Sequence, residues 1–401
     1  MGAEVAVLET RMLGAKERVL VEAEDGTKGW GSRSVFERCP ETRVATPRTA
    51  ILNTGRAIPL LGFGTWKLPG DAKTKAVVRD AIRAGYRARP RHIDTARMYS
   101  NEAVIGEAIA EAVAAGDVTR DELFVTTKLW NSDHGSKVEA ACRASLARLK
   151  LDYVDLWPLG VDGSSSPIPA VFAPRCTGTR APRRYLVHCP FTAPGPTLEP
   201  PLGDTWREMT KVYELGLARA VGVSNFSLKK VDALEGLVPA VLQVELHPLL
   251  RQTALLEGCA ARGIHVTAYS PLGSADSAAF MKHDGACGRV RARFASAIRH
   301  REYLLGGKLL EHADVAKVAR SAGCTPAQAL LKYGVQRGCS VLPKSSTASR
   351  IAENADIFDA PLSPGDMEAL GRLEPQTRFL HMQTCVHPKG PYKTLADFWD
   401  E

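Results

Sequence analysis

The chain has 401 residues, of which 45% are hydrophobic and 24% charged, a globular composition that excludes a disordered or fibrous protein. That length suits one or two domains, since an α/β barrel takes about 250 residues or more as a single unit. Nine cysteines, an odd number with no CxxC pair, argue against a disulfide framework or a structural zinc site. The net charge of +8 raises nucleic acid as a partner, and no apolar run reaches the ~18 residues that span a bilayer.

Residues 1–48 carry eight acidic and eight basic side chains. A transit peptide is poor in acids, and Ala6 breaks the myristoylation pattern that Gly2 would begin. This segment reads as a poorly ordered tail, and the protein as cytoplasmic. Residues 51–58, with Asn53 and Gly55, predict a small hairpin. Strands are then expected at 60–66, 92–96, 123–129, 153–156 together with 185–188, 218–226, 241–246, 264–272 and 340–345. Between them lie helical stretches. Residues 101–115 place Val104, Ile105, Ala108, Ile109 and Ala112 on one face, and 137–150 do the same with Val138, Cys142, Leu146 and Leu149. Thr325-Pro326 opens another helix with a cap and a first-turn proline. Strands alternating with helices predict a parallel α/β architecture, and the count of eight favours a closed (β/α)8 TIM-type barrel over a doubly wound sheet.

In such a barrel, chemistry sits where strands end. The eight strand ends supply Thr65 and Trp66; Asp94 with Tyr99 five residues on; Lys128; His188; Ser224 and Asn225; Gln243 and Glu245; Tyr269 and Ser270; Lys344 and Ser345. One such polar residue is unremarkable, but eight on the same rim are not a scatter of core residues. A phenol is a poor acid at neutral pH, with a reference pKa near ~10. An ammonium beside it stabilises the phenolate, a carboxylate holds the ammonium, and an imidazole can orient a carbonyl. Asp94, Tyr99, Lys128 and His188 thus suit protonation of an oxygen that turns negative when hydride reaches carbon. Gly62-Phe63-Gly64 starts like a dinucleotide fingerprint, but the third glycine and the helix are missing, so a Rossmann site is rejected.

The segments LNTGRAIPLLGFGTWKLPG, HIDTARMYSNEAVIGEAI, FVTTKLWNSDH, YLVHCP, AVGVSNF, LQVELHP, TAYSPLGS and LPKSSTASRIAEN resemble the aldo-keto reductases, in order, from about residue 51 onward. The resemblance implies a barrel over 49–401 with an N-terminal β-hairpin, no metal, and NADPH/NADP+ as cofactor. It casts Tyr99 as general acid, Lys128 and Asp94 as its tuners, and His188 as the group that aligns the carbonyl. It places Thr65, Asp94, Ser224, Asn225 and Gln243 around the nicotinamide end of the cofactor, with Tyr269 stacked on the ring. Ser270, Leu272 and Ser274 follow the pyrophosphate, Lys344, Ser345, Thr347 and Arg350 grip the 2′-phosphate, and Glu353 and Asn354 meet the adenine. Lys and Arg at the phosphate favour NADPH over NADH. Trp66, Tyr99, Trp130, His188 and Cys189 line the substrate pocket. Many relatives carry an aromatic residue where Cys189 stands, which implies a roomier pocket unless Cys189 is simply a small buried filler.

Three inserts break the family pattern, at 88–91, 157–184 and about 286–306. They hold eleven Arg against one Asp and one Glu, a surplus of nine positive charges, so the rest of the chain stands at −1. The basic balance belongs to the inserts, and nucleic acid loses its support. The second insert interrupts a barrel strand just before His188. It is either a retained intron translated in frame or a loop accommodated by a bulge. The expected activity is NADPH-dependent reduction of aldehydes or ketones, aldoses or small aldehydes among them, of the alcohol dehydrogenase (NADP+)/aldose reductase type. The expected enzyme is a monomer acting on a small carbonyl substrate, with no nucleic acid or membrane partner. The rivals are a non-catalytic nucleotide-sensing barrel and an inactive product of retained introns.

Overall fold

A computed structural model of the chain describes residues 46–83, 91–154, 200–274, 309–380, 382, 386, 388 and 391–401, and the backbone of 5–13, 16–23, 28–32 and 185–187. The chain divides into two compact units, Met1–Thr46 with Asp359–Pro361, and Pro47–Phe358 with Leu362–Glu401.

The first unit holds strands within residues 1–48, the segment read from sequence as a tail. Strands β1 (Val5–Leu13), β2 (Lys16–Ala23) and β3 (Lys28–Ser32) form an antiparallel sheet in the order β1-β2-β3, with Val5 opposite Ala23 and Arg18 opposite Ser32. The balanced charge of this segment hides its strand signal. Val19-Leu20-Val21 is an apolar run of β-favouring residues, short enough to be lost among the charges.

In the second unit, β4 (Thr49–Ile51) and β5 (Ala57–Pro59) form the expected hairpin. Its turn uses Gly55 at φ 73°, a left-handed conformation that costs glycine nothing. Eight parallel strands follow. They are β6 (Gly62–Gly64), β7 (Arg91–Asp94), β8 (Leu123–Thr126) continued after Thr127 as β9 (Lys128–Leu129), β10 (Tyr185–Val187), β11 (Val221–Ser224), β12 (Val241–Glu245), β13 (His265–Tyr269) and β14 (Ser340–Leu342). Each pairs with the next. The ring closes where Leu61 bridges Val341 and the Gly64 N–H donates to the Pro343 carbonyl at 3.0 Å.

The two glycines of β6 serve that closure. A Cβ on Gly62 would lie 2.5 Å from Leu342 Cδ2, and one on Gly64 would lie 3.1 Å from the Leu342 carbonyl oxygen. They are there for close strand contact, in keeping with the rejected nucleotide fingerprint.

Helices lie between the strands: α1 (Ala72–Arg83), α2 (Glu102–Ala114), α3 (Val138–Leu149), α4 (Leu202–Glu214), α5 (Leu228–Asp232), α6 (Thr253–Ala261), α7 (Ala313–Ser321) and α8 (Pro326–Gln336). After β14 come α9 (Ala348–Ala355), α10 (Pro364–Gly371) and α11 (Leu395–Trp399). The start of α8 is the expected one: Thr325 and Gln328 form a reciprocal capping box with Pro326 in the first turn. The buried faces of α2 and α3 are those read from the sequence. They join Phe63, Ile93, Val125, Val223, Leu242 and Val341 in one apolar core.

Two of the inserts touch described residues. Arg91, counted as the last residue of the first insert, pairs with Leu123 as the first residue of β7. At the second insert, Val154 bridges Ala218 and Tyr185 pairs with Val221. The third insert, at 286–306, lies outside the described residues.

Candidate functional site

At the carboxyl ends of β7 and β9, Asp94 and Lys128 face each other. Lys128 is fully buried and Asp94 nearly so, and Lys128 Nζ donates to Asp94 Oδ1 at 2.5 Å. The same ammonium donates to the Thr95 carbonyl at 2.9 Å and to Tyr99 Oη at 3.3 Å, and it sits 5.0 Å from the centre of the Tyr99 ring. Burial pushes the Lys128 ammonium below the usual lysine range, and the Asp94 charge and hydrogen bond oppose that loss. Asp94 Oδ2 is itself fixed by Gln243 Nε2 at 2.9 Å. The carboxylate, ammonium and phenol expected to work together are therefore brought together. His188 and Cys189 lie outside the described residues.

Two residues hold the loop that carries Tyr99. Thr65 donates through its hydroxyl to the Asp94 carbonyl at 2.9 Å. Asn101, 1% exposed, donates to the carbonyls of Thr65 and Leu68 at 2.9 and 3.0 Å and accepts from Thr95 Oγ1 at 2.9 Å. Asn101 entered the sequence reading only as the first residue of the helical stretch 101–115. Arg97, two residues before Tyr99, pairs with Asp133 in the loop after Trp130. Trp66 and Trp130 are half-buried, at the ends of β6 and β9.

A second cluster lies at the ends of β11, β12 and β13. Ser224 Oγ donates to the Gln243 carbonyl at 2.9 Å, Asn225 Nδ2 to Ser224 Oγ at 3.2 Å, and Tyr269 Oη to Asn225 Oδ1 at 2.7 Å. Asn225 and Ser270 take positive φ, 59° and 49°, and Ser274 does so at 50°, which turns the chain sharply out of β11 and β13. A hydroxyl, two amides and a half-buried phenol ring converge here. That is a donor and stacking set for a planar ring carrying a carboxamide.

The loop after β14 holds Lys344, Ser345 and Thr347 ahead of the amino end of α9. Ser345 Oγ accepts from the Thr347 N–H at 3.1 Å. Arg350, in the first turn of α9, is exposed and has no ion-pair partner among the described residues. A helix amino end flanked by Lys and Arg suits a phosphate dianion. Glu353, expected at the adenine, accepts from Thr325 Oγ1 at 2.6 Å through Oε1, at the start of α8. Its neighbour Asn354 is buried.

Glu245, noted in the sequence only as a strand-end residue, fastens the C-terminal segment. It is fully buried and accepts from the backbone N–H groups of Phe379 at 2.8 Å and Leu380 at 2.9 Å. Burial pushes its carboxyl up, but the His247 contact at 3.0 Å and these two N–H groups outweigh that and hold it below the usual range. Further on, Asp400 binds Lys230, and the Arg378 guanidinium lies 3.6 Å from the centre of the Trp399 ring. No described helix is long and apolar enough to cross a membrane.

A sequence profile of the Aldo/keto reductase family matches residues 60–374. The chain is 39% identical to aldo-keto reductase family 1 member A1 of Rattus norvegicus over 354 residues, which cover 86% of this chain and 94% of the rat protein. It is 38% identical to the Homo sapiens protein of the same name over 351 residues, 84% and 93% of the respective chains. Its fold is similar to the crystal structure of an aldo/keto reductase from Brucella melitensis, with a TM-score of 0.61 and 31% identity, covering 82% of this chain and 99% of that one. The chain, with its closed ring of eight parallel strands, belongs to the aldo/keto reductase family.

Proposed function

We propose that this oxidoreductase reduces aldehydes, small aldehydes and aldoses among them, to alcohols with NADPH, and that Tyr99 is its general acid. The observation that carries this is the relay Asp94–Lys128–Tyr99, its ion pair buried and its ammonium 3.3 Å from the half-buried phenol's oxygen. Bound NADPH would supply the hydride.

The remaining steps fall to the chain's own residues. Tyr99 delivers the proton to the carbonyl oxygen as negative charge gathers there. Lys128 stabilises the phenolate left behind, and Asp94 keeps the ammonium charged and aimed. Gln243 locks Asp94 from the other side. His188 orients the carbonyl, and Trp66, Trp130 and Cys189 line the substrate pocket. Ser224 and Asn225 hold the carboxamide and Tyr269 backs the ring, while Ser270, Leu272 and Ser274 follow the pyrophosphate. Lys344, Ser345, Thr347 and Arg350 bind the 2′-phosphate, which favours NADPH over NADH. A monomeric state and a cytoplasmic location belong to the same proposal.

A nucleotide-sensing barrel without catalysis has no need of a proton donor, and this chain keeps one with a buried ammonium aimed at it. The test is NADPH consumption by the purified protein against a panel of aldehydes and aldoses. Turnover with at least one of them supports the proposal. Tight NADPH binding with no turnover on any of them favours the sensor.

A further inference from the structure

Lys128 is held by one carboxylate, Asp94, and the residue before it is held by a second, Glu102. Glu102 is the first residue of α2 and is 2% exposed. Its Oε1 accepts from Thr127 Oγ1 at 2.6 Å, and its Oε2 accepts from Arg148 Nε at 2.7 Å and Ser145 Oγ at 3.4 Å. Thr127 is the break between β8 and β9, immediately before Lys128. Side chains alternate along a strand, so Thr127 points outward to Glu102 while Lys128 points inward to Asp94. Close packing of α2 on α3 makes the arrangement possible. A Cβ on Gly106 would lie 2.5 Å from the Arg148 carbonyl oxygen, so only glycine lets Arg148 come this near.

Glu102 also follows Asn101, the residue that ties the Tyr99 loop to β6. One dipeptide thus grips both parts of the relay, the loop carrying Tyr99 and the strand carrying Lys128. We propose that Glu102 is a positioning residue for the reaction: it fixes Lys128 against Tyr99 through Thr127, and its charge, partly offset by Arg148, sets how readily Tyr99 ionises. This rests on the function proposed for Tyr99.

The charged and titratable groups around this pair are few among the described residues. Asp94 comes from β7, Tyr99 from the loop after it, Lys128 from β9, and Arg148 and Cys142 from α3. Burial pushes the Cys142 thiol up to about 12, so it stays neutral. The Glu102 charge helps to retain the proton on Lys128. A buried negative charge also opposes phenolate, and a positive one favours it.

Two charge-removing substitutions have opposite electrostatic signs. Glu102→Gln removes a negative charge and Arg148→Gln removes a positive one. Ionisation of Tyr99 is read without cofactor as phenolate absorbance against pH, using the difference between each protein and its Tyr99→Phe counterpart. The falling limb of aldehyde reduction against pH is the second readout. Glu102→Gln should move both to lower pH by about half a unit or more, and Arg148→Gln should move both to higher pH. Glu102→Gln should also lower kcat several-fold with KM for the aldehyde little changed.

A scaffold role alone would lower the melting temperature of both variants and leave both titrations in place, which overturns the proposal. Shifts in the same direction overturn it as well. Should Glu102→Gln fail to fold, an unshifted Arg148→Gln overturns it alone. If Tyr99→Phe itself retains turnover, the assignment of Tyr99 fails, an outcome distinct from a silent Glu102.

Discussion

Deleting 157–184 should stabilise the barrel, and the register on either side of the insert says why. Val154 stands opposite Ala218 and Tyr185 opposite Val221, three positions along β11. A continuous strand has room for two residues between those positions, and the sequence between Val154 and Tyr185 has thirty. Removing 157–184 leaves two, Asp155 and Leu156, so the shortened chain fits the existing ladder without a slip. A one-residue slip would turn every following side chain to the wrong face and take the strand's contribution to the site with it.

The gain can be scaled. Closing a loop across 28 extra residues costs about 3 kcal/mol in chain entropy, and the deletion removes that cost. In a barrel of this size that corresponds to a rise in melting temperature of roughly 4 °C. Both forms would be expressed side by side, and melting temperature, soluble yield and NADPH consumption with a simple aldehyde compared. Activity should rise with stability, because His188 follows the repaired strand by one residue after Val187. Equal stability and activity would make the insert a tolerated loop and refute the translated-intron origin. A less stable deletion form would mean that the insert has become structural, and the register argument would fall.

Lys344→Ala and Arg350→Ala should each weaken NADPH binding by about ten- to a hundred-fold and leave NADH nearly unchanged, since a charge-assisted contact is worth roughly 1.5–3 kcal/mol. Fluorescence titration with both cofactors checks this, and equal losses for both would refute the phosphate assignment. His134 is buried, with both ring nitrogens unpartnered, and burial holds its pKa down to about 4 despite the opposing Asp133 charge. The unfolded chain takes up a proton near pH 6.5 that the folded one refuses until about 4. Stability is therefore complete above 6.5 and falls by about 3 kcal/mol on the way down to 4. Urea unfolding of wild type and His134→Asn at both ends of that window should show the loss in wild type and a flatter profile in the variant.

What was legible in the sequence follows the physics of the barrel. Strand ends are marked because an apolar run stops at a polar side chain, as at Asp94, Lys128, Ser224, Gln243 and Tyr269. The candidate site was readable wherever a single strand end supplies the residue. Residues that act across the fold were not readable. Glu102 meets Thr127 across 25 positions and Arg148 across 46, and no local period records such contacts. Glu353 is a similar case: its hydrogen bond to Thr325, 28 positions away, has no local signal. The N-terminal strands were not read from the sequence because evenly mixed charges mask a short Val19-Leu20-Val21 run.

The account stands on Tyr99 as proton donor, and one comparison tests it directly: NADPH binding and aldehyde turnover of Tyr99→Phe beside wild type. Loss of the phenol should lower kcat by on the order of 10²-fold or more, since a positioned general acid is typically worth 10²–10⁴-fold, while the NADPH dissociation constant changes little. Near-normal turnover in that variant would contradict the account and leave the Asp94–Lys128 pair as structure alone.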